Sequence, residues 1–290
     1  MLRLATLSLA FTAALVLAAC GSGSSGNTSS ANSAGSPESN NAPAGSSQSI
    51  TIAGSTALLP LVKQASADYQ AQHPNVKINV SGGGSRVGIT QAAQGGIDIG
   101  NSDIPAPDQP GLVDHRVAVV NFAVAVNPAS GVTNLTKAQI ASIFTGKVTN
   151  FSAVGGKNVQ ITVVNRPRSS GTRAVFVQKL MNGVQPLEGG LTQDSSGTVA
   201  SIVQQTPGAI SYVAKSYVKG PNIVPVSIDG VAPTDDNVLS GKYPFWSYEH
   251  MFTKGQPSKT AGDFISYVQN DSAALKQLGF IRVSDMKGAQ

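Results

Sequence analysis

Three times in this chain a strand-like run breaks into glycines and small hydroxyl residues and then into a helix-like run. The three breaks are Gly54-Ser55-Thr56-Ala57-Leu58-Leu59-Pro60, Gly82-Gly83-Gly84-Ser85-Arg86-Val87-Gly88 and Ser169-Ser170-Gly171-Thr172-Arg173. Alternating patterns at 49–53, 76–80 and 159–164 lead into them. The first backbone N–H groups of a helix lack intrahelical partners, and the macrodipole adds roughly half a positive charge there. Serine and threonine contribute hydroxyl donors, and glycine lets the backbone come close to an oxygen. One such turn is an ordinary strand-to-helix connection. Three together point to convergence on a single tetrahedral oxyanion.

The rest of the pattern fixes the architecture. Short strands are predicted at 97–100 and 209–213, and a longer apolar run at 117–126. Helices are predicted over 89–94, 137–144, 174–180, 199–205, 261–268 and 273–278. In the first helix Leu58, Val62, Ala65 and Tyr69 share one face, with Pro60 in the opening turn. Strands alternating with helices predict an α/β fold with mainly parallel pairing. Ligands of such sheets bind beyond the carboxyl ends of strands, where all three breaks fall.

The N-terminal region is of a different kind. Residues 1–20 read as an export signal, with Arg3, an apolar stretch at 4–16, and Leu17-Ala18-Ala19-Cys20. That stretch is shorter than the roughly 20 residues of a membrane span. Cys20 is the only cysteine, which excludes an intrachain disulfide, and it sits as in a bacterial lipobox, where the cysteine is lipidated after cleavage. Residues 21–48, nearly all Gly, Ser, Asn, Ala and Pro, form a flexible tether with a reach of roughly 30 Å. The GxGxxG match at 21–26 has no strand before it and no helix after it, and carries no meaning.

Charge and composition exclude other classes. Net charge is +5, but the basic residues are scattered, and aromatics are 6% of a chain of 290 residues, so no nucleic-acid surface is expected. An exported enzyme such as a phosphatase needs a nucleophile or a metal. His73, His115 and His250 have no metal-ligand spacing, the folded part has no GxSxG elbow or P-loop, and no cofactor is implied. A surface adhesive protein would fit the tether but leave the three breaks unexplained.

Within the candidate site, Thr56, Ser85, Ser170 and Thr172 supply hydroxyls, and Ala57, Gly171 and Thr172 supply backbone N–H groups. Arg166, just after a strand, offers a planar fork for two oxygens. Asp103, beyond the strand at 97–100, is the discriminating residue, because a carboxylate repels an anion unless the anion carries a proton. Hydrogen phosphate has a P–OH to donate, whereas sulfate would leave the carboxylate unpaired against another negative charge. Sulfate and molybdate remain the alternatives on the same fold. A second Ser-Ser-Gly-Thr at 195–198 lacks an upstream arginine and reads as a helix cap.

Assembled, these residues resemble the phosphate-binding proteins of phosphate ABC importers, from Ile50 to the C-terminal helices. The likeness includes Leu135-Thr136-Lys137-Ala138-Gln139-Ile140, the run 143–151, Gly208-Ala209-Ile210-Ser211-Tyr212-Val213 and Thr253-Lys254-Gly255. The resemblance implies a two-lobe periplasmic-binding-protein (type II) fold with a two-strand hinge. It implies lobe I at 49–125 and 245–290, lobe II at 126–244, and phosphate ligands Thr56, Ala57, Ser85, Asp103, Arg166, Ser170, Gly171 and Thr172. The implied partners are phosphate, ABC permease subunits and the lipid bilayer through Cys20, with the protein a monomer on the extracytoplasmic face. Arg86 departs from the family pattern; it either reinforces the anion charge or points to solvent.

Overall fold

A computed structural model of the protein describes residues 48–286. The expected export signal, Cys20 and the tether up to residue 47 lie outside the described residues; Gln48 already opens β1 (Gln48–Gly54). There follow α1 (Leu59–Gln72), β2 (Val76–Gly83), α2 (Ser85–Gln94), β3 (Ile99–Ser102) and the long β4 (Leu112–Val126). Next come β5 (Asn134–Leu135), α3 (Lys137–Phe144), β6 (Thr162–Asn165), α4 (Gly171–Leu180), β7 (Leu191–Thr192), α5 (Ser196–Gln205), β8 (Ala209–Ala214) and β9 (Val224–Ile228). The described chain closes with α6 (Asp235–Leu239), β10 (Trp246–Lys254), α7 (Lys259–Asn270), α8 (Ser272–Leu278) and β11 (Phe280–Ile281).

Local signals account for these boundaries. Helix α1 carries Pro60 in its first turn and buries Leu61, Val62, Ala65, Ser66 and Tyr69 as one stripe. Helix α3 opens on a capping box between Thr136 and Gln139. Helix α2 is preceded by Gly84 at φ +89°, and an added Cβ there would press on the Ser169 carbonyl.

The sheet runs β2-β1-β3-β10-β4-β8-β6-β7. The expectation of mainly parallel pairing is corrected. Strands β1, β2 and β3 pair in parallel, as do β6, β7 and β8, but β10 and β4 run against their neighbours. The reason is topological. Strand β4 is 15 residues long and changes partners midway: up to Asn121 it pairs with β10, and from Phe122 it pairs with β8. It thus passes from one parallel group to the other, buried from Val117 to Val126. The main apolar core follows it through both groups, with Phe176 stacked on Tyr212 at 4.0 Å and Phe122 against Phe245 at 5.1 Å, and smaller clusters lie beside it.

Candidate oxyanion site

Strands β1, β2, β3 and β6 all deliver their carboxyl ends to one place. Thr56 and Ala57 follow β1, Ser85 opens α2 after β2, Asp103 follows β3, and Arg166 follows β6. Ser170, Gly171 and Thr172 form the N-terminus of α4. All eight expected residues are buried, and the structure brings them into one connected cluster.

Asp103 sits at one pole. Its carboxylate accepts from the Ser55 hydroxyl and from Thr172 Oγ1 at 2.7 Å, while its backbone N–H donates to Ser85 Oγ at 2.9 Å. Ser85 therefore spends a lone pair on the backbone and keeps its hydrogen to donate. Thr172 differs from expectation, because its hydrogen goes to Asp103 and it positions the acid. The Ala57 N–H likewise donates to Ser55 Oγ at 3.0 Å. Gly171 is a matter of space. A side chain there would overlap the Ser85 hydroxyl and crowd Asp103 Cβ. Ser170 caps α4 by accepting from the Arg173 N–H at 3.2 Å, so the first-turn N–H groups of Gly171 and Thr172 have no intrahelical partner.

Arg166 sits at the other pole, 1% exposed. Its Nε donates to the Gln193 carbonyl at 3.0 Å, Nη1 to Ser196 Oγ at 3.2 Å, and Nη2 to Thr56 Oγ1 at 3.1 Å and to the Asp194 carbonyl. Every one of these acceptors is a neutral oxygen. Among the described residues no carboxylate forms an ion pair with it. Burial pulls its pKa down from the ordinary value and the field of Asp103 pushes it up, but a guanidinium remains a cation in any folded protein. A buried cation held only by dipoles is stabilised further by an anion. Arg173 supports the loop, donating to the Arg166 carbonyl at 2.8 Å.

Several site residues escape the sequence reading. Ser55 orients Asp103. Ser195 does cap α5, as expected, but the next residue, Ser196, belongs to the cluster. Its N–H donates to Thr56 Oγ1 at 3.1 Å, and its hydroxyl lies 2.9 Å from the same atom. Tyr217 donates to the Thr56 carbonyl at 2.7 Å, and its own pKa is pushed up to about 12, chiefly by burial. Glu249, fully buried on β10, is close enough to Asp103 to feel its charge. The signal for Ser196 was present, a repeat of Ser-Ser-Gly-Thr; those for Tyr217 and Glu249 are tertiary.

Arg86 is exposed, which fits the second of its two expected roles, and it is also tied down locally. Its backbone N–H donates to the Ser169 carbonyl at 3.1 Å, and its Nε to the Arg168 carbonyl at 3.1 Å. It ties α2 to the loop before α4 and lines a cavity of about 550 Å³ with Arg168, Ser169, Arg173 and Gln185. The histidines sit elsewhere: His250 pairs with Asp114 at 2.8 Å, His115 meets Thr253 at 3.1 Å, and His73 stacks on Tyr69. Among the described residues no cluster of His, Cys, Asp or Glu could hold a metal, and no helix is long and apolar enough to cross a membrane.

Known proteins resemble this chain in sequence and fold. The family model described as a PBP superfamily domain matches residues 34–272. The phosphate-binding protein PstS of Bacillus subtilis (strain 168) is 43% identical over 281 residues, covering 94% of this chain and 91% of that relative. A crystal structure from Clostridium perfringens, described as a phosphate ABC transporter substrate-binding protein with bound phosphate, superposes with a TM-score of 0.76 at 29% identity, covering 81% of this chain and 100% of the other. An ABC-type phosphate transport receptor from Vibrio cholerae gives a TM-score of 0.65 at 27% identity, covering 80% and 99%. By the family-model match and the 43% identity over 94% of its length, the chain belongs to the PBP superfamily and, within it, to the PstS family.

Proposed function

We propose that this protein binds inorganic phosphate reversibly on the extracytoplasmic face and hands it to an ABC importer. The observation that carries the reading is the pairing of a buried guanidinium bonded only to neutral oxygens with a buried carboxylate held in place by hydroxyls. The first attracts an anion, and the second accepts a proton from it. The names of the PstS relatives support the same ligand. Ser85 and Ser170 hydroxyls, with the Gly171 and Thr172 N–H groups, are the proposed remaining donors. Binding involves no covalent chemistry and no cofactor.

Because the cluster is sealed, entry requires the halves on either side to separate. The proposed lobes are residues 49–125 with 245–290, and 126–244, joined by the two crossings of the chain, at the end of β4 and just before β10. Thr56–Arg166, Thr56–Ser196, Asp103–Thr172 and Arg86–Ser169 all cross that seam. The protein is proposed to be a monomer anchored through lipidated Cys20.

Isothermal calorimetry with phosphate and sulfate tests the reading. Phosphate is expected to bind at least about a hundredfold more tightly, as a site built for a ligand proton rejects an analogue lacking it. Asp103→Asn is expected to weaken phosphate by about tenfold or more, roughly 1.4 kcal/mol, and to narrow the margin over sulfate. Equal affinity of the unaltered protein for both anions overturns the proposal.

A further inference from the structure

Glu249 has no exposed surface, and neither of its carboxyl oxygens meets an N–H or O–H donor; the group within hydrogen-bond reach of it is the Asp103 carboxyl. Strand β10 runs antiparallel to β3, with Met251 opposite Asn101 and His250 opposite Ser102. Continuing that register sets Glu249 across from Asp103, on the face that carries Asn101, whose amide is also buried and unpartnered. Ser247 Oγ donates to the Asp103 carbonyl at 2.6 Å and ties β10 to this turn. On the other side of β10, Glu249 lies opposite Ala118, between the buried Val117 and Val119.

The titratable and charged groups around it are few. Asp103 faces it from the end of β3, Tyr217 feels it from the segment after β8, and Arg166 lies beyond Asp103. His250, the next residue along, is committed to Asp114. Burial first, then the charge of Asp103 and a side-chain hydrogen bond with it, raise the Glu249 pKa well above the ordinary carboxyl value. Asp103 already accepts hydroxyl hydrogens from Ser55 and Thr172, bonds that suit a carboxylate; Glu249 accepts none. Two carboxyls in one dry site do not both ionise.

We propose that Glu249 remains protonated beside Asp103 and so limits the acidic pole to one negative charge, making phosphate binding fall in alkaline solution as that proton is lost. Glu249 is a positioning residue that acts on the ligand through Asp103. The inference rests on the phosphate reading of the site. Its sign is definite. A second carboxylate at this pole repels an anionic ligand, so loss of the proton weakens binding. The native state also holds this proton when the unfolded chain has released it. Stability therefore falls as pH rises from the ordinary carboxyl range to the Glu249 titration point.

The test compares the full protein with Glu249→Gln, a neutral isostere, and with Glu249→Met as a second variant of similar size. Phosphate affinity is measured by calorimetry from pH 7 to pH 10; speciation of phosphate is common to all three proteins and cancels from ratios. The affinity of each variant near pH 7 sets the reference for its own pH series. Above the titration point the unaltered protein is expected to lose about tenfold relative to either variant for each pH unit. A ratio that stays flat while the infrared protonated-carboxyl band disappears with rising pH overturns the proposal. So does an infrared difference spectrum at neutral pH, unaltered protein minus Glu249→Gln, that lacks a protonated-carboxyl band. If the unaltered protein fails to bind phosphate at all, the functional reading fails, and the infrared band still judges Glu249.

Discussion

Residues 169–172 and 195–198 spell the same tetrapeptide, Ser-Ser-Gly-Thr, and each opens a helix, yet they present different atoms to the same cluster. In α4 the second serine, Ser170, is the cap, which puts Gly171 against Ser85 and turns Thr172 onto Asp103. In α5 the first serine, Ser195, is the cap, so Ser196 becomes the residue that reaches Thr56 and Arg166, while Thr198 is exposed. A shift of one residue in the cap rotates every later side chain by about 100° around the helix axis. What a capping motif offers a ligand is thus decided by which hydroxyl takes the cap.

The largest effect is expected where the two motifs share a partner. Arg166 bonds Ser196 directly, and its field meets that of Asp103, which Thr172 orients. Arg166→Lys replaces a planar fork with a point charge, and at least about a hundredfold loss of phosphate affinity is expected by calorimetry. Retention within threefold would show that the charge alone suffices and that the motifs need no common anchor.

The comparison itself is broken or sharpened by the paired threonines. Thr172→Ala leaves a buried Asp103 oxygen without its donor, and about a tenfold loss of affinity is expected, whereas Thr198→Ala is expected to stay within about twofold. Equal losses would mean that the cap offset has no functional weight. The serines give the smallest effects and the clearest division of labour. Ser195→Ala is expected to cost about 1 kcal/mol of stability, read as a lower Tm, with affinity unchanged. Ser196→Ala is expected to lower affinity by about three- to fivefold, the worth of one neutral hydrogen bond.

Much of this site was legible because its logic is local. Thr56, Ser85, Arg166 and Ser170 each stand just past a strand, and the glycines around them mark close backbone approach. Asp103 was legible from its place just beyond the end of a short strand. The rest depends on partners distant along the chain. Ser196 looked like a cap residue because nothing in 195–198 announces that Thr56 arrives from 140 residues away. Strand β10 carries Glu249 and His250 in a run where the sequence pattern predicts no element, and their burial follows only once β3 and β4 close on either side. Strands β10 and β4 account for the failed expectation of mainly parallel pairing.

The eight residues of the cluster, sealed from solvent, carry a kinetic consequence. An ion enclosed there has no route to water while Thr56 is tied to Arg166 and Ser196, Tyr217 to the Thr56 carbonyl, and Thr172 to Asp103. Its dwell time is then governed by how often those links part together, a mechanical clock independent of how strongly any single oxygen is gripped. On the proposed lobe opening, a partner that separates the halves would release the cargo, and one that merely competes for it would not.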